Sequence, residues 1–227
     1  MKTLSTLVLL LIAVSGIAQV NWVSVNYDSV EAATTNPDKD SHYPKLLQRF
    51  NKFDTSLTLD EYRFLYYGFA FDAGYAPYQD NGTSEIMPLV NERKYDKALD
   101  ACDRLLATNP VSITTNFYKG FVLMNMAEND SSRRYAARAR KLINAILSSG
   151  NGLTCETAYK VIYVSDEYTL LRDVFDAEPL GRRTMPPCDR FNITKSKNYS
   201  GKTIFFDYSA NDQYFKRKYP GKKQAAQ

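Results

Sequence analysis

The chain has 227 residues, three cysteines, one histidine and a formal net charge of +4. That length suffices for one sizeable domain or two small packed ones, and the composition excludes a disordered or low-complexity chain. A single histidine, His42, excludes a histidine-rich metal site, and no pair among Cys102, Cys155 and Cys188 has zinc-finger spacing.

Residues 1–18 read as a secretory signal peptide. Lys2 supplies the charged start, Leu4 to Val14 the apolar segment, and Gly16-Ile17-Ala18 a small-x-small cleavage site. The apolar run is too short to cross a bilayer as a helix. The mature chain is expected to start near Gln19, exported to the periplasm or beyond the cell, with no transmembrane anchor. Removing Lys2 lowers the +4 by one, and five cations between Lys216 and Lys223 more than account for the remainder. Residues 216–227 therefore read as a solvated basic tail.

Asp28 to Thr34 is compatible with a short helix, and Asn36-Pro37-Asp38 with a turn. A helix follows with Ser41 as its cap, Pro44 in its first turn and Leu46, Leu47 and Phe50 on one face. Thr58 and Glu61 fit a capping box, after which Tyr62, Leu65, Tyr66 and Phe69 recur at helical spacing. Gly74 and Pro77 are expected to end that helix. The aromatics read mainly as a packed hairpin core. An exposed platform with Tyr75 and Tyr78 at its rim is the competing reading, and these two are the candidate binding residues.

Thr83 to Asn91 reads as a short helix. Tyr95, Ala98, Leu99, Cys102, Leu105 and Leu106 mark an amphipathic one that stops at Asn109-Pro110, with Cys102 a buried free thiol. Ile113 to Met126 is a third, in which Gly120 permits a neighbouring helix to come close. A fourth, Ser131 to Leu147, turns Tyr135, Ala139, Leu142, Ile143 and Ile146 inward and Arg133, Arg134, Arg138 and Lys141 outward. Tyr95-x-x-Ala98-Leu99, Asn109-Pro110 and Phe117-Tyr118-x-Gly120 resemble tetratricopeptide-type helix pairs, although the Glu128 to Ser132 connection breaks the period.

Composition changes at Ser148-Ser149-Gly150-Asn151-Gly152, the expected internal boundary. Beyond it, Tyr159 to Val164 reads as a strand and Asp166 to Phe175 as a helix with Tyr168, Leu171 and Phe175 on one face. Pro179 to Pro187 reads as a loop, and Arg190 to Thr194 with Thr203 to Asp207 as an antiparallel hairpin. The expected fold is α+β and mainly α: antiparallel helical hairpins, degenerate tetratricopeptide-like, over 19–150, then a small antiparallel β unit over 151–215 packed on them. Cys155 and Cys188 are the disulfide candidates of an exported chain, their pairing left open by spacing alone.

The pattern Arg49-Phe50…Asp54-x-x-Leu57-Thr58-x-x-Glu61-Tyr62-Arg63-x-Leu65-Tyr66-Tyr67-Gly68, with Ser165 to Arg172 and Ile204-Phe205-Phe206-Asp207, resembles the secreted bacterial family known as domain of unknown function 4919. The resemblance covers most of the mature chain. It implies export from a Gram-negative cell and a compact fold, and it transfers no activity and no catalytic residue.

No catalytic residue, metal ligand set or cofactor emerges from the residues themselves. Ser200-Gly201-Lys202-Thr203 ends like a phosphate loop, but Ser196 stands where glycine is needed and a strand follows, so it reads as a hairpin turn. Asp60 with Glu61, and Asp166 with Glu167, are adjacent on helices and point about 100° apart, which does not preset them to flank a glycosidic bond. The basic face from Arg133 to Lys141 lacks interleaved aromatics, which argues against nucleic acid. The expectation is an exported, non-enzymatic module that binds an envelope protein or peptide. A glycan hydrolase or a carbohydrate-binding module is the alternative.

Overall fold

The computed structural model describes residues 22–78 and 82–219; residues 1–18, expected as a signal peptide, and 220–227 of the expected basic tail lie outside the described residues. Helix α1 (Tyr27–Thr34) starts where the Asn26 side chain accepts the Ser29 amide. Helix α2 (Tyr43–Asn51) has Pro44 in its first turn, where a missing N–H costs nothing. Ser41 does not cap it. Its hydroxyl donates to the Ala33 carbonyl instead, and His42 holds the backbone N-cap position.

Helix α3 (Leu59–Gly68) opens on the complete capping box. Thr58 Oγ1 accepts the Glu61 amide at 3.2 Å and Glu61 Oε2 accepts the Thr58 amide at 2.7 Å. Arg49 joins that box from α2, bonding Asp54 at 2.8 Å and Glu61. The helix runs into a 3₁₀ turn, Phe69–Phe71, and so ends before Gly74, which has no left-handed role.

Four helices follow: α4 (Thr83–Asn91), α5 (Tyr95–Thr108), α6 (Ile113–Asn125) and α7 (Asn129–Leu147). Helices α6 and α7 touch most closely at Gly120. A Cβ there would lie 3.2 Å from both the Ala136 amide nitrogen and the Ser132 carbonyl, and Ser132 Oγ donates to the Gly120 carbonyl at 2.8 Å. The buried side of α6 is more polar than apolar periodicity implies, carrying Thr114, Thr115, Asn116 and Lys119.

The C-terminal unit departs further from expectation. Strand β1 is only Tyr159–Lys160, because the chain turns at Val161 into α8 (Val164–Thr169), which continues as a π-helical turn over Leu170–Val174. Tyr168 on α8 is 41 % exposed and not part of the inward face. Pro179–Met185, expected as loop, is strand β2, followed by β3 (Cys188–Ile193) and β4 (Thr203–Asp207). The sheet order is β1-β4-β3-β2, and β1 lies parallel to β4. The sheet is therefore mixed, which corrects the purely antiparallel expectation. Helix α9 (Ser209–Lys218) occupies the start of the expected tail.

One core gathers Leu46, Phe50, Leu65, Tyr66, Tyr67, Leu142 and Ile146 together with Val161, Leu170, Phe191, Ile204 and Phe206, so it crosses the compositional boundary at 148–152. A smaller one lies between α4, α5 and α6 around Ile86, Ala98, Cys102 and Val122. Burial pushes the free Cys102 thiol up to about 12, which keeps it protonated.

Candidate functional site

The turn after α2 sets the geometry of a groove. The Phe53 amide donates to the Phe50 carbonyl at 3.0 Å and the Asp54 amide to the Arg49 carbonyl at 3.1 Å, a Schellman closure. Phe53 thereby takes the left-handed position, φ 55°, where a side chain costs about 1–2 kcal/mol. The strained residue puts its ring edge-on to Tyr135 of α7, with centroids 5.0 Å apart.

Arg138 of α7 fills the space beneath. It is only 6 % exposed, although its place in the charged sequence of α7 put it on the outer face. Its guanidinium lies 3.8 Å from the Phe53 ring centroid and 4.2 Å from that of Phe50, and it donates to the Phe50 carbonyl at the end of α2. A cation there is favoured by the α2 dipole and by the two ring faces. Burial still lowers its pKa to about 10, partly offset by Tyr135 and Tyr62, so it stays charged at neutral pH. Among the described residues no carboxylate pairs with it.

Arg138 lines a cavity of about 410 Å³ with Phe53, Tyr62, Arg133, Arg134 and Lys141. Lys141 sits 5.1 Å from the Tyr62 ring centroid and Arg134 6.0 Å from that of Phe53. The two acids on the wall are already engaged, Asp54 by Arg49 and Ser56 and Asp130 by Arg133. Hydrogen bonds from Ser56, then from Arg49, hold the Asp54 carboxyl well below the usual carboxylate range. Arg134, Arg138 and Lys141 are left without an ion-pair partner among the described residues, and the cleft is cationic.

A second cavity of about 280 Å³ adjoins the first and shares Phe53 and Arg134 with it. Its walls are Leu99, Leu123 and Tyr135 on the apolar side and Ser131, Asp103 and Lys119 on the polar side. Lys119 is 8 % exposed, is paired with Asp103, and points its ammonium at the Tyr135 ring 4.5 Å away.

The two candidate binding residues named from sequence do not come together. Tyr75 is 2 % exposed and wedged among Phe69, Tyr163 and Tyr214, with the Ile162 carbonyl at 2.5 Å and Asn211 Oδ1 at 3.0 Å to accept its single hydroxyl proton. Tyr78 is 73 % exposed and packs instead against Phe215 of α9, so the pair forms no shared platform. Cys155 and Cys188 are joined in a disulfide with Cα atoms 5.8 Å apart.

The buried carboxylates lie away from the groove. Asp166 accepts the Tyr66 hydroxyl at 2.5 Å, and burial pushes its carboxyl up to about 7. Glu167 is fully buried, and neither of its oxygens receives a hydrogen bond. Burial first, and the negative charge of Asp189 second, push its carboxyl far above the usual range. Asp189 itself is bound by Arg182 and by Thr184 at 2.7 Å. None of these three acids lines the two cavities, whose carboxylates are Asp54 and Asp130 in the first and Asp103 in the second, each held in an ion pair. Among the described residues no group of three or more His, Cys, Asp or Glu side chains is placed to hold a metal ion.

The fold and the groove define a mainly helical α+β protein with a cationic, aromatic-walled cleft between the α2–α3 turn and α7. The chain belongs to the family described as Domain of unknown function (DUF4919), which it matches over residues 28–217. No curated protein and no solved structure matches it. The residues that carry the family resemblance have positioning roles here. Arg49, Asp54, Thr58 and Glu61 lock the turn that presents Phe53, and Arg63 ties α3 to Ser148 and to the Val23 carbonyl.

Proposed function

We propose that this protein is an exported, non-enzymatic interaction module, tetratricopeptide-like in its helices, whose groove holds an acidic segment of an envelope protein or peptide. The observation that carries this reading is Arg138, a buried cation at the wall of an open cleft with no carboxylate among the described residues to balance it. An unbalanced buried charge is costly, and an acidic ligand supplies the missing partner. Arg134 and Lys141 extend the same demand along the cleft. Export is supported by the pattern of residues 1–18 and by the Cys155–Cys188 disulfide, a bond suited to an oxidising compartment.

Fluorescence anisotropy with a labelled glutamate-rich hexapeptide tests the reading. Saturable binding is expected, weakening as sodium chloride rises from about 50 to about 300 mM. The double variant R134E/K141E is expected to bind at least about tenfold more weakly with an unchanged melting temperature, because neither side chain is buried. Absence of saturable binding, or binding indifferent to both charge reversals, overturns it.

A further inference from the structure

The two cavities share a wall, and that arrangement says more about the ligand than charge alone. We infer that the groove recognises a two-part peptide signal: an acidic residue beside Arg138, and a neighbouring aliphatic or aromatic side chain inserted between Leu99, Leu123, Phe53 and Tyr135. This rests on the reading of the groove as a site for an acidic segment and specifies which segment it takes.

The argument begins with size. Sites for whole small ligands run from about 300 to about 1,000 Å³. The second cavity, about 280 Å³, falls below that range, and the first, about 410 Å³, lies near its lower end. A ligand that reaches across Phe53 and Arg134 uses both, and a short stretch of peptide has that reach, since successive residues advance about 3.3 Å.

Chemistry divides the two parts. Among the described residues, the first cavity has three cations without ion-pair partners and no acid that is not already engaged. In the second, the one cation other than the shared Arg134 is Lys119, and Asp103 already neutralises it. Beside the Ser131 hydroxyl and the shared Arg134, what remains there for a ligand is the faces of Leu99 and Leu123 and the rings of Phe53 and Tyr135, which meet edge-on. An acidic group gains nothing from that surface, whereas an apolar side chain leaves water for it. Phe53 is the hinge of the arrangement. Its left-handed backbone, set by the Schellman closure, is what projects the ring between the two cavities. Peptide recognition by one charged anchor and one buried apolar anchor is an economical way to gain specificity, because each alone binds many partners weakly.

The experiment compares two labelled hexapeptides that both carry two adjacent glutamates and differ only in the next residue, leucine or serine. On the wild-type chain the leucine peptide is expected to bind about tenfold or more tightly than the serine peptide. S131F, which adds a ring at the wall of the second cavity, is expected to reduce the ratio between the two affinities. R134E/K141E is expected to weaken both. Equal binding of the two peptides to the wild-type chain overturns the inference and leaves the acidic-segment reading standing. Failure of both to bind removes that reading as well. The wild-type comparison decides the matter even if S131F does not fold.

Discussion

Asp166 is the residue whose chemistry should be most visible in solution. Its carboxyl is buried, accepts one short hydrogen bond from Tyr66, and titrates near 7 because burial disfavours its charge. The unfolded chain titrates the same group near 4. Between those values the folded state holds more protons than the unfolded state, so stability falls as pH rises from about 4 to about 7 and is flat beyond. A gap of about three units corresponds to at most about 4 kcal/mol. Glu167, raised in the same direction, adds to the slope, whereas Asp54 and Glu61, whose pKa values are lowered, act oppositely and only at more acid pH. D166N, which cannot ionise, is expected to flatten the urea stability profile between pH 5 and pH 8 and to be the more stable protein at pH 8. An unchanged profile would remove Asp166 as the source. The same scale shows why the groove was hidden in the sequence. Arg138 was assigned to the charged face of α7 because it belongs to a run of cations. Yet it stands three residues after Tyr135 and four before Leu142, inside the apolar stripe. That spacing was the available signal. Its partners Phe50 and Phe53 come from a distant turn that periodicity cannot report.

At the element scale the bounds of the helices were largely legible, and their caps less so. The Thr58–Glu61 box was legible as the start of α3, whereas Ser41 does not cap α2, and the caps at Asn26 and Ser112 were not singled out in the sequence. The stops at Thr34, Asn91, Asn109 and Leu147 fall where they read, but the way α2, α4 and α6 close, through left-handed Phe53, Arg93 and Ala127 where glycine is usual, left no signal in the sequence. The exposed edge strand β2 offered no alternation to read, and its Pro179, Gly181 and paired arginines look like loop. The α6 closure gives a direct test. Ala127 has φ 64°, its amide bonds the Met124 carbonyl at 3.2 Å, and the Glu128 amide bonds the Leu123 carbonyl at 2.9 Å. Glycine adopts that conformation without strain, at some cost in unfolded-chain entropy. A127G is therefore expected to gain about 0.5–1 kcal/mol, a rise of about 2 °C in melting temperature for a chain of this size. A melt that falls instead would mean that the αL strain at this closure is not being relieved.

At the scale of the whole molecule, the compositional break at Ser148 to Gly152 does not separate two cores. The aromatic residues of α3 reach across it, the Tyr66 hydroxyl donating to Asp166 and the Tyr67 hydroxyl to the Lys160 carbonyl at 3.1 Å, while Arg63 donates to Ser148 Oγ within the break at 2.7 Å. Gly150 permits the chain to pass, since a Cβ there would sit 2.3 Å from the Thr157 carbonyl oxygen. The sheet thus has its hydrophobic floor built by the N-terminal helices, and loss of either part exposes the other. The disulfide tests this coupling. Cys155 precedes β1 and Cys188 begins β3, so the bond closes a loop of 33 residues around β1, α8 and β2. Loop-closure entropy of that length is worth about 3–4 kcal/mol in the unfolded chain. The double variant C155A/C188A is expected to lose about that much stability. Because the core is continuous, the loss should appear in one transition, with helical circular dichroism and tyrosine fluorescence moving together. Two separated transitions, with the helices melting at their original temperature, would show instead that α1–α7 stand without the sheet and that the boundary at 148–152 divides two independently folding parts.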